Sequence, residues 1–446
     1  MLSRHRLLIL ILVLTVIGTP AAVLRALCID KSCKNESAAG QVAAVPFCPL
    51  PKDLRAKIEA GFRPGRSPDV FAVTKTPAIW GDVGPPDEGA APLWPARDPP
   101  PDLRVPLVFA GTGVAKNASI PQGTGLDDIA PTLARMIGFS RGHPELRAGQ
   151  EIPRLAGGKT PQLILEVAWK GVGEAKLRAD NKAWPFLRTL MRQGAGTLQA
   201  TTGSLPVDST AALTTIGTGA LPSQHGITGT LIRDKNGDLV RAWSDRAPIS
   251  VLATLGDDLV QRHAGSRLGV VEADDIDQGI AGGNWYIGER PPDLDVARGA
   301  AAVAAARRVL DSGYGTGSVP DILAVTLQGS VAQMDTQLQQ IVAAADAASG
   351  GSFVAVVAGT GSASRPQGET TAASQVVGQL ERRLRTPGIV EAAIPGGLFV
   401  DQAVSANEGV PAGRIVDALA SVRDPRGATI MDEAFPAFSI SFARYC

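Results

Sequence analysis

From residue 162 onward the apolar and polar positions fall into two alternating patterns. Short apolar runs rich in β-branched residues, at 162–169, 267–272, 321–327 and 352–358, read as buried strands. Between and after them, 183–194, 210–218, 248–263, 295–312, 330–348 and 371–385 carry helical spacing. Repeated strand–helix alternation predicts an α/β fold, a mainly parallel sheet with helices on both faces. Upstream, the pattern predicts a short helix at 53–60, strands at 68–74 and 104–110, and an amphipathic helix at 126–139. A Pro/Gly-rich loop fills 81–104, and 147–161 reads as a linker. The tail, 388–446, mixes short strands with a helix near 411–422, and no internal repeat is visible.

The N-terminus has its own pattern. Arg4, His5 and Arg6 precede an apolar run at 7–24, broken only by Thr15 and by Gly18-Thr19-Pro20. A positive flank before an apolar core is an export signal, and this one is near the shortest length that spans a bilayer. The reading is an uncleaved signal anchor at 1–27, a linker outside the cytoplasm at 28–52, and one domain at 53–446. The protein is then expected at the cell membrane through a single N-terminal span; cleavage and secretion is the alternative. Four cysteines, Cys28, Cys33, Cys48 and Cys446, allow three pairings. Cys28–Cys33 with Cys48–Cys446 is the preferred one, and free thiols are the alternative.

Charge narrows the partners. Lys+Arg and Asp+Glu both number 43, so no field of one sign points to nucleic acid. Gly111-Thr112-Gly113 and Gly359-Thr360-Gly361 follow strands without the full dinucleotide fingerprint, so no nucleotide cofactor is expected. Asp274, Asp275 and Asp277 read as a solvated loop, and Glu166, in mid-strand, as a core-edge or paired group.

The stretch with most chemistry is 205–227, LPVDSTAALTTIGTGALPSQHGI. Ser209 and Thr210 stand at the start of a helical run, Thr218-Gly219 ends it, and a Pro-x-x-His-Gly turn runs from Pro222 through His225 to Gly226. Ser209 can cap that helix, and the free N–H groups behind it can hold an anion. The spacing also resembles the nucleophile segment of the alkaline phosphatase superfamily, in its nucleotide pyrophosphatase/phosphodiesterase branch. That resemblance makes Ser209 the nucleophile position, with Thr210 as the alternative. Further pieces resemble the same superfamily: 162–195 its first strand and helix, 320–358 two later strands and the helix between them. The segments 66–74 and 104–139 resemble its C-terminal part, yet here they come first. A circular permutation across the linker 147–161 accounts for the order, since permutation is tolerated where termini lie close together at the surface.

The resemblance implies two divalent metals, zinc in kind, and the residues depart from it. Lys170 stands where the first metal-binding aspartate is expected, and an ammonium offers a metal no lone pair. Gly359-Thr360 replaces an Asp-His pair, and only four histidines exist in the chain. Of these, His225 lies in the Pro-x-x-His-Gly turn. The reading is a metal-free, alkaline-phosphatase-like binding or structural module without cofactor. The alternative is a phosphodiesterase or nucleotide pyrophosphatase using Ser209 or Thr210 with two metals. Lys170 is expected beside Ser209 or Thr210, bonding a hydroxyl or a carboxylate such as Asp208.

Overall fold

The computed structural model describes residues 46–75, 97, 103–244, 250–361, 371, 373–394 and 396–446. In chain order the strands are β1 Val70–Thr74, β2 Arg104–Gly111, β3 Leu163–Trp169, β4 Ala195–Thr201, β5 Leu231–Arg233, β6 Leu239–Arg241 and β7 Leu268–Glu272. They continue with β8 Asp293–Val296, β9 Asp321–Leu327, β10 Phe353–Gly359, β11 Val390–Ile394, β12 Gly397–Val400 and β13 Met431–Pro436. The helices are α1 Lys52–Gly61, α2 Ile129–Met136, α3 Glu174–Ala179, α4 Pro185–Gln193, α5 Ser209–Thr218 and α6 Pro222–His225. After them come α7 Leu255–Arg262, α8 Ala300–Asp311, α9 Val331–Ser349, α10 Ala373–Leu384, α11 Gln402–Asn407 and α12 Ala412–Ala420.

The larger sheet has seven strands in the order β4-β2-β10-β3-β9-β7-β8. From β10 to β8 every neighbour is parallel, and β2 runs antiparallel to both β10 and β4. The continuous apolar runs suit strands buried on both faces. Side-chain alternation splits them between two cores. Ile164 and Ala168 of β3, with Val354 and Val356 of β10, face α2, α5 and α7. Leu165 and Val167, with Leu323 and Val325 of β9, face α4, α8 and α9. The strand expected at 104–110 therefore shares a sheet with the one at 162–169, as the permuted order requires, and 53–146 is not a separately folded unit.

A second, antiparallel sheet has the order β11-β12-β1-β13. It joins the early strand β1 to three strands from the end of the chain. Phe71 of β1 stacks with Phe435 of β13 at 6.1 Å, and Phe47 lies 5.2 Å from Phe435. On the other face α10 and α12 cover the sheet with Val376, Leu380, Ile415 and Leu419. Cys48 and Cys446 form a disulfide beside this cluster, as the preferred pairing expected for those two.

Several expectations need correction. The run 68–74 is the expected strand but lies outside the mainly parallel sheet, in the smaller antiparallel one, because its partners come from the tail. Strand β4 was not foreseen; AGTLQAT is poor in β-branched residues and half-exposed at the sheet edge. The helix expected from 248 starts only at Leu255, where Thr254 caps it and Asp257 completes a capping box. The helix expected at 295–312 begins at Ala300, because 293–296 is taken by β8.

Membrane attachment through the N-terminal segment, and the single-span location built on it, is corrected as well. No helix among the described residues is long and apolar enough to cross a membrane. The longest described helix, α9, carries Gln333, Asp335, Gln339 and Asp346 along its length. The run 7–24 on which the expectation rested, with Cys28 and Cys33, lies outside the described residues.

Candidate functional site

The carboxyl ends of β3 and β10 lie side by side, and the chain beyond them stays paired. Thr360 N–H donates to Trp169 O at 3.2 Å, and Gly361 N–H to Val172 O at 3.0 Å. In open α/β sheets ligands bind outside the carboxyl ends of strands. This edge gathers Lys170 and Gly171 after β3, Thr360 after β10, and the start of α5.

Helix α5 is capped by Asp208, not by Ser209. The Asp208 carboxylate accepts from Thr210 N at 2.8 Å and from Ala211 N at 3.1 Å. Its other oxygen accepts the backbone N–H and the hydroxyl of Thr230, both at 3.0 Å. Two of the N–H groups expected to hold an anion are thus occupied by the chain's own carboxylate. Freed from capping, the half-exposed Ser209 hydroxyl shares a 2.9 Å hydrogen bond with that of Thr360. Thr360 Oγ1 also accepts from Gly171 N at 3.0 Å. Among the described residues Ser209 Oγ bonds no carboxylate or imidazole. Thr210 is buried and its hydroxyl pairs with that of Thr230 at 3.2 Å, inside the fold.

The Lys170 ammonium has its own partner. Its Nζ lies 2.6 Å from Oδ1 of Asp277, and Asp277 is fully buried. Oδ2 of Asp277 accepts the Thr326 hydroxyl at 2.7 Å and Asp274 N at 3.1 Å. The ammonium has a carboxylate partner as expected, but that partner is Asp277 rather than Asp208. The acidic loop also divides. Asp274 and Asp275 meet Arg241 at 3.1 and 2.9 Å near the surface, while Asp277 goes into the core. Glu272, at the end of β7, is buried beside them. Burial, then Asp277 and Asp275, push its carboxyl up to about 8, so it is protonated at neutral pH. Glu166 sits in mid-β3, wholly buried, and burial alone raises it to about 8.

His225 faces inward. Its Nδ1 accepts from Ile227 N at 3.1 Å, which leaves Nε2–H to donate to the Thr215 hydroxyl at 3.1 Å. Burial, with Arg66 and Arg63 nearby, lowers it to about 3. Both ring nitrogens are used, so this histidine fixes the turn behind α5.

These residues do not fit a two-metal centre. The end of β3 presents an ammonium, the end of β10 a hydroxyl, and His225 no open nitrogen. Among the described residues no three of His, Cys, Asp or Glu are placed to hold a metal ion. Sequence reasoning missed Asp208 as the cap, Thr360 as the partner of Ser209, and Asp277 as the partner of Lys170. For Asp208 the signal was present, since aspartate immediately before a helix is a favoured cap. The other two contacts join segments more than a hundred residues apart, which local spacing does not encode.

Residues 171–285 match the family described as type I phosphodiesterase / nucleotide pyrophosphatase. The match begins one residue after Lys170 and takes in Ser209, Thr210 and His225. No curated protein matches the chain. Among solved structures, the chain is similar to wild-type alkaline phosphatase PafA at 12% identity and a TM-score of 0.44, over 62% of this chain and 84% of that one. A mutant of the same enzyme gives 13% identity and a TM-score of 0.43, over 62% and 85%. The family match falls on the segment that carries the helix start and the Pro-x-x-His-Gly turn, and it supports the likeness of that segment to the alkaline phosphatase superfamily.

Proposed function

We propose that this chain is a binding or structural module on a phosphodiesterase-like scaffold, without metal-dependent hydrolysis. The Lys170–Asp277 ion pair carries the reading. In the superfamily that strand end supplies a metal-binding aspartate; here it supplies a positive charge already neutralised by a buried carboxylate. A divalent cation brought there finds no free ligand, since the ammonium has no lone pair and both oxygens of its carboxylate partner are engaged. The Ser209–Thr360 hydrogen bond supports the same reading, since neither hydroxyl is a base able to activate the other.

The test uses the purified full chain. Zinc content is measured after dialysis, and hydrolysis of aryl phosphate diesters and monoesters is followed with and without added zinc. The expected outcome is no stoichiometric zinc and no turnover above background. Zinc at one or two equivalents, with activity lost in Ser209→Ala or Thr210→Ala, overturns the reading in favour of a hydrolase.

A further inference from the structure

Helix α10 has two faces. Val376, Leu380 and Leu384 are buried against the smaller sheet. Gln375, Gln379 and Arg382, spaced by four and then three, share another side. With Ser374 they form one wall of a cleft of about 440 Å³. The turn after α12, with Arg423 and Asp424, forms the other wall. None of these residues belongs to the strand-end site around Ser209, so the cleft is independent of whatever happens there.

The walls are fixed by bonds within the protein. The Gln379 amide donates to Arg423 O at 2.8 Å and accepts from Arg423 N at 3.1 Å. Asp424 Oδ1 accepts from Arg426 N at 2.9 Å and from Ala428 N at 2.8 Å. Arg423 Nη1 donates to Gly427 O at 2.7 Å, and Arg383 ties α10 to Ser421 O at 3.1 Å. A cleft ordered in advance loses little entropy when something binds in it. Other polar groups are left over. Among the described residues the Arg382 guanidinium makes no hydrogen bond or ion pair, and Ser374 Oγ and the Gln375 amide have no partner. Asp424 Oδ2 accepts no bond there either, since both turn N–H groups go to Oδ1.

Charge selects the ligand. Two guanidinium groups and one carboxylate line the cleft, a balance of one positive charge. The planar N–H fork of arginine matches the two oxygens of a carboxylate. A phosphate dianion suits the cleft less well, because Asp424 repels its second charge. The open oxygen of Asp424 instead calls for a donor, which an ammonium supplies. The lining offers little apolar surface beyond Pro425, so the occupant is small and polar. We propose that this cleft binds a free α-amino acid, its carboxylate held by Arg382 and Arg423 and its ammonium by Asp424. Ser374 and Gln375 remain for a polar side chain.

The test is isothermal titration of the full chain, at low salt, with each of the twenty common α-amino acids. Concentrations up to about 10 mM fill a site of millimolar Kd. At least one amino acid should bind, while its carboxamide, which lacks the carboxylate, and its N-acetyl form, which lacks the ammonium, should not. Arg382→Ala should weaken binding by about tenfold or more, with the unfolding midpoint unchanged because Arg382 holds nothing else. Asp424→Asn keeps an Oδ1 acceptor for the turn, removes the charge, and should weaken binding as well. Failure of all twenty to bind overturns the proposal, and so does an affinity unchanged in Arg382→Ala. Orthophosphate binding more tightly than any amino acid, and lost in Arg382→Ala, overturns it in favour of a simple anion site. If Asp424→Asn fails to fold, Arg382→Ala and the two blocked ligands decide.

Discussion

Lys170 and Asp277, 107 residues apart in sequence, meet at 2.6 Å with the carboxylate fully buried. The pair joins the end of β3 to the excursion after β7, and Thr326 extends it to β9. Removing one partner of a buried pair strands the other's charge. Lys170→Met should destabilise the fold by roughly 3–5 kcal/mol in denaturant unfolding. Adding Asp277→Asn should recover a large part of that loss. A double variant no more stable than Lys170→Met would show that the ion pair is not what holds these strand ends together.

The start of α5 separates a cap from a candidate nucleophile. Asp208→Ala removes two helix-capping bonds and two bonds to Thr230, and should cost roughly 1–2 kcal/mol. Ser209→Ala removes one hydroxyl pair with Thr360 and should cost about 1 kcal/mol or less. Equilibrium unfolding of the two variants ranks them. A larger loss for Ser209→Ala would restore the reading in which Ser209 caps the helix.

That contrast shows how much the sequence carried. The parallel sheet was legible because 162–169, 321–327 and 352–358 are continuous apolar runs, and the structure places them as adjacent strands. The strand end with Lys170 was legible as a departure, since a single lysine stands out against an expected aspartate. Asp277 was not, because an aspartate among acidic neighbours has the local pattern of a solvated loop. Only the fold brings Lys170, Thr326 and the Asp274 N–H around it. Strands β8 and β4 were invisible for a related reason. Each is a sheet-edge segment whose partners, not its own side chains, make it a strand.

Stability should fall as pH rises across neutrality. Glu166 and Glu272 each have a folded value near 8, pushed up first by burial, against an ordinary value of 4.5. A raised carboxyl favours the folded state fully below the unfolded value. That contribution is lost between about 4.5 and about 8 as the unfolded chain ionises first. Unfolding midpoints measured across this range should decline, and Glu166→Gln should flatten the slope. A midpoint that rises through the same window would contradict the buried, protonated state of both groups.

The Cys48–Cys446 bridge closes nearly the whole described chain into one loop. Loops of this size gain most from a cross-link, so its loss should cost roughly 3–5 kcal/mol. Reduction, or Cys48→Ser, should lower the melting temperature. Exchange protection should fall first in β1, β12 and β13. Unchanged protection there on reduction would show that aromatic packing around Phe435 holds the ends together unaided.

The smaller sheet sets a timetable for synthesis. β1 leaves the ribosome early, yet its hydrogen-bonded neighbours, β12 on one side and β13 on the other, are made last. Until then Val70, Phe71 and Val73 have no sheet to join, and a nascent apolar strand with two open edges invites pairing with the wrong chain. β2 has the same difficulty to a lesser degree, since it waits for both β4 and β10. The smaller sheet therefore closes only once β13 has been made. A chain shortened by its last few dozen residues loses the partner of its first strand along with its own tail.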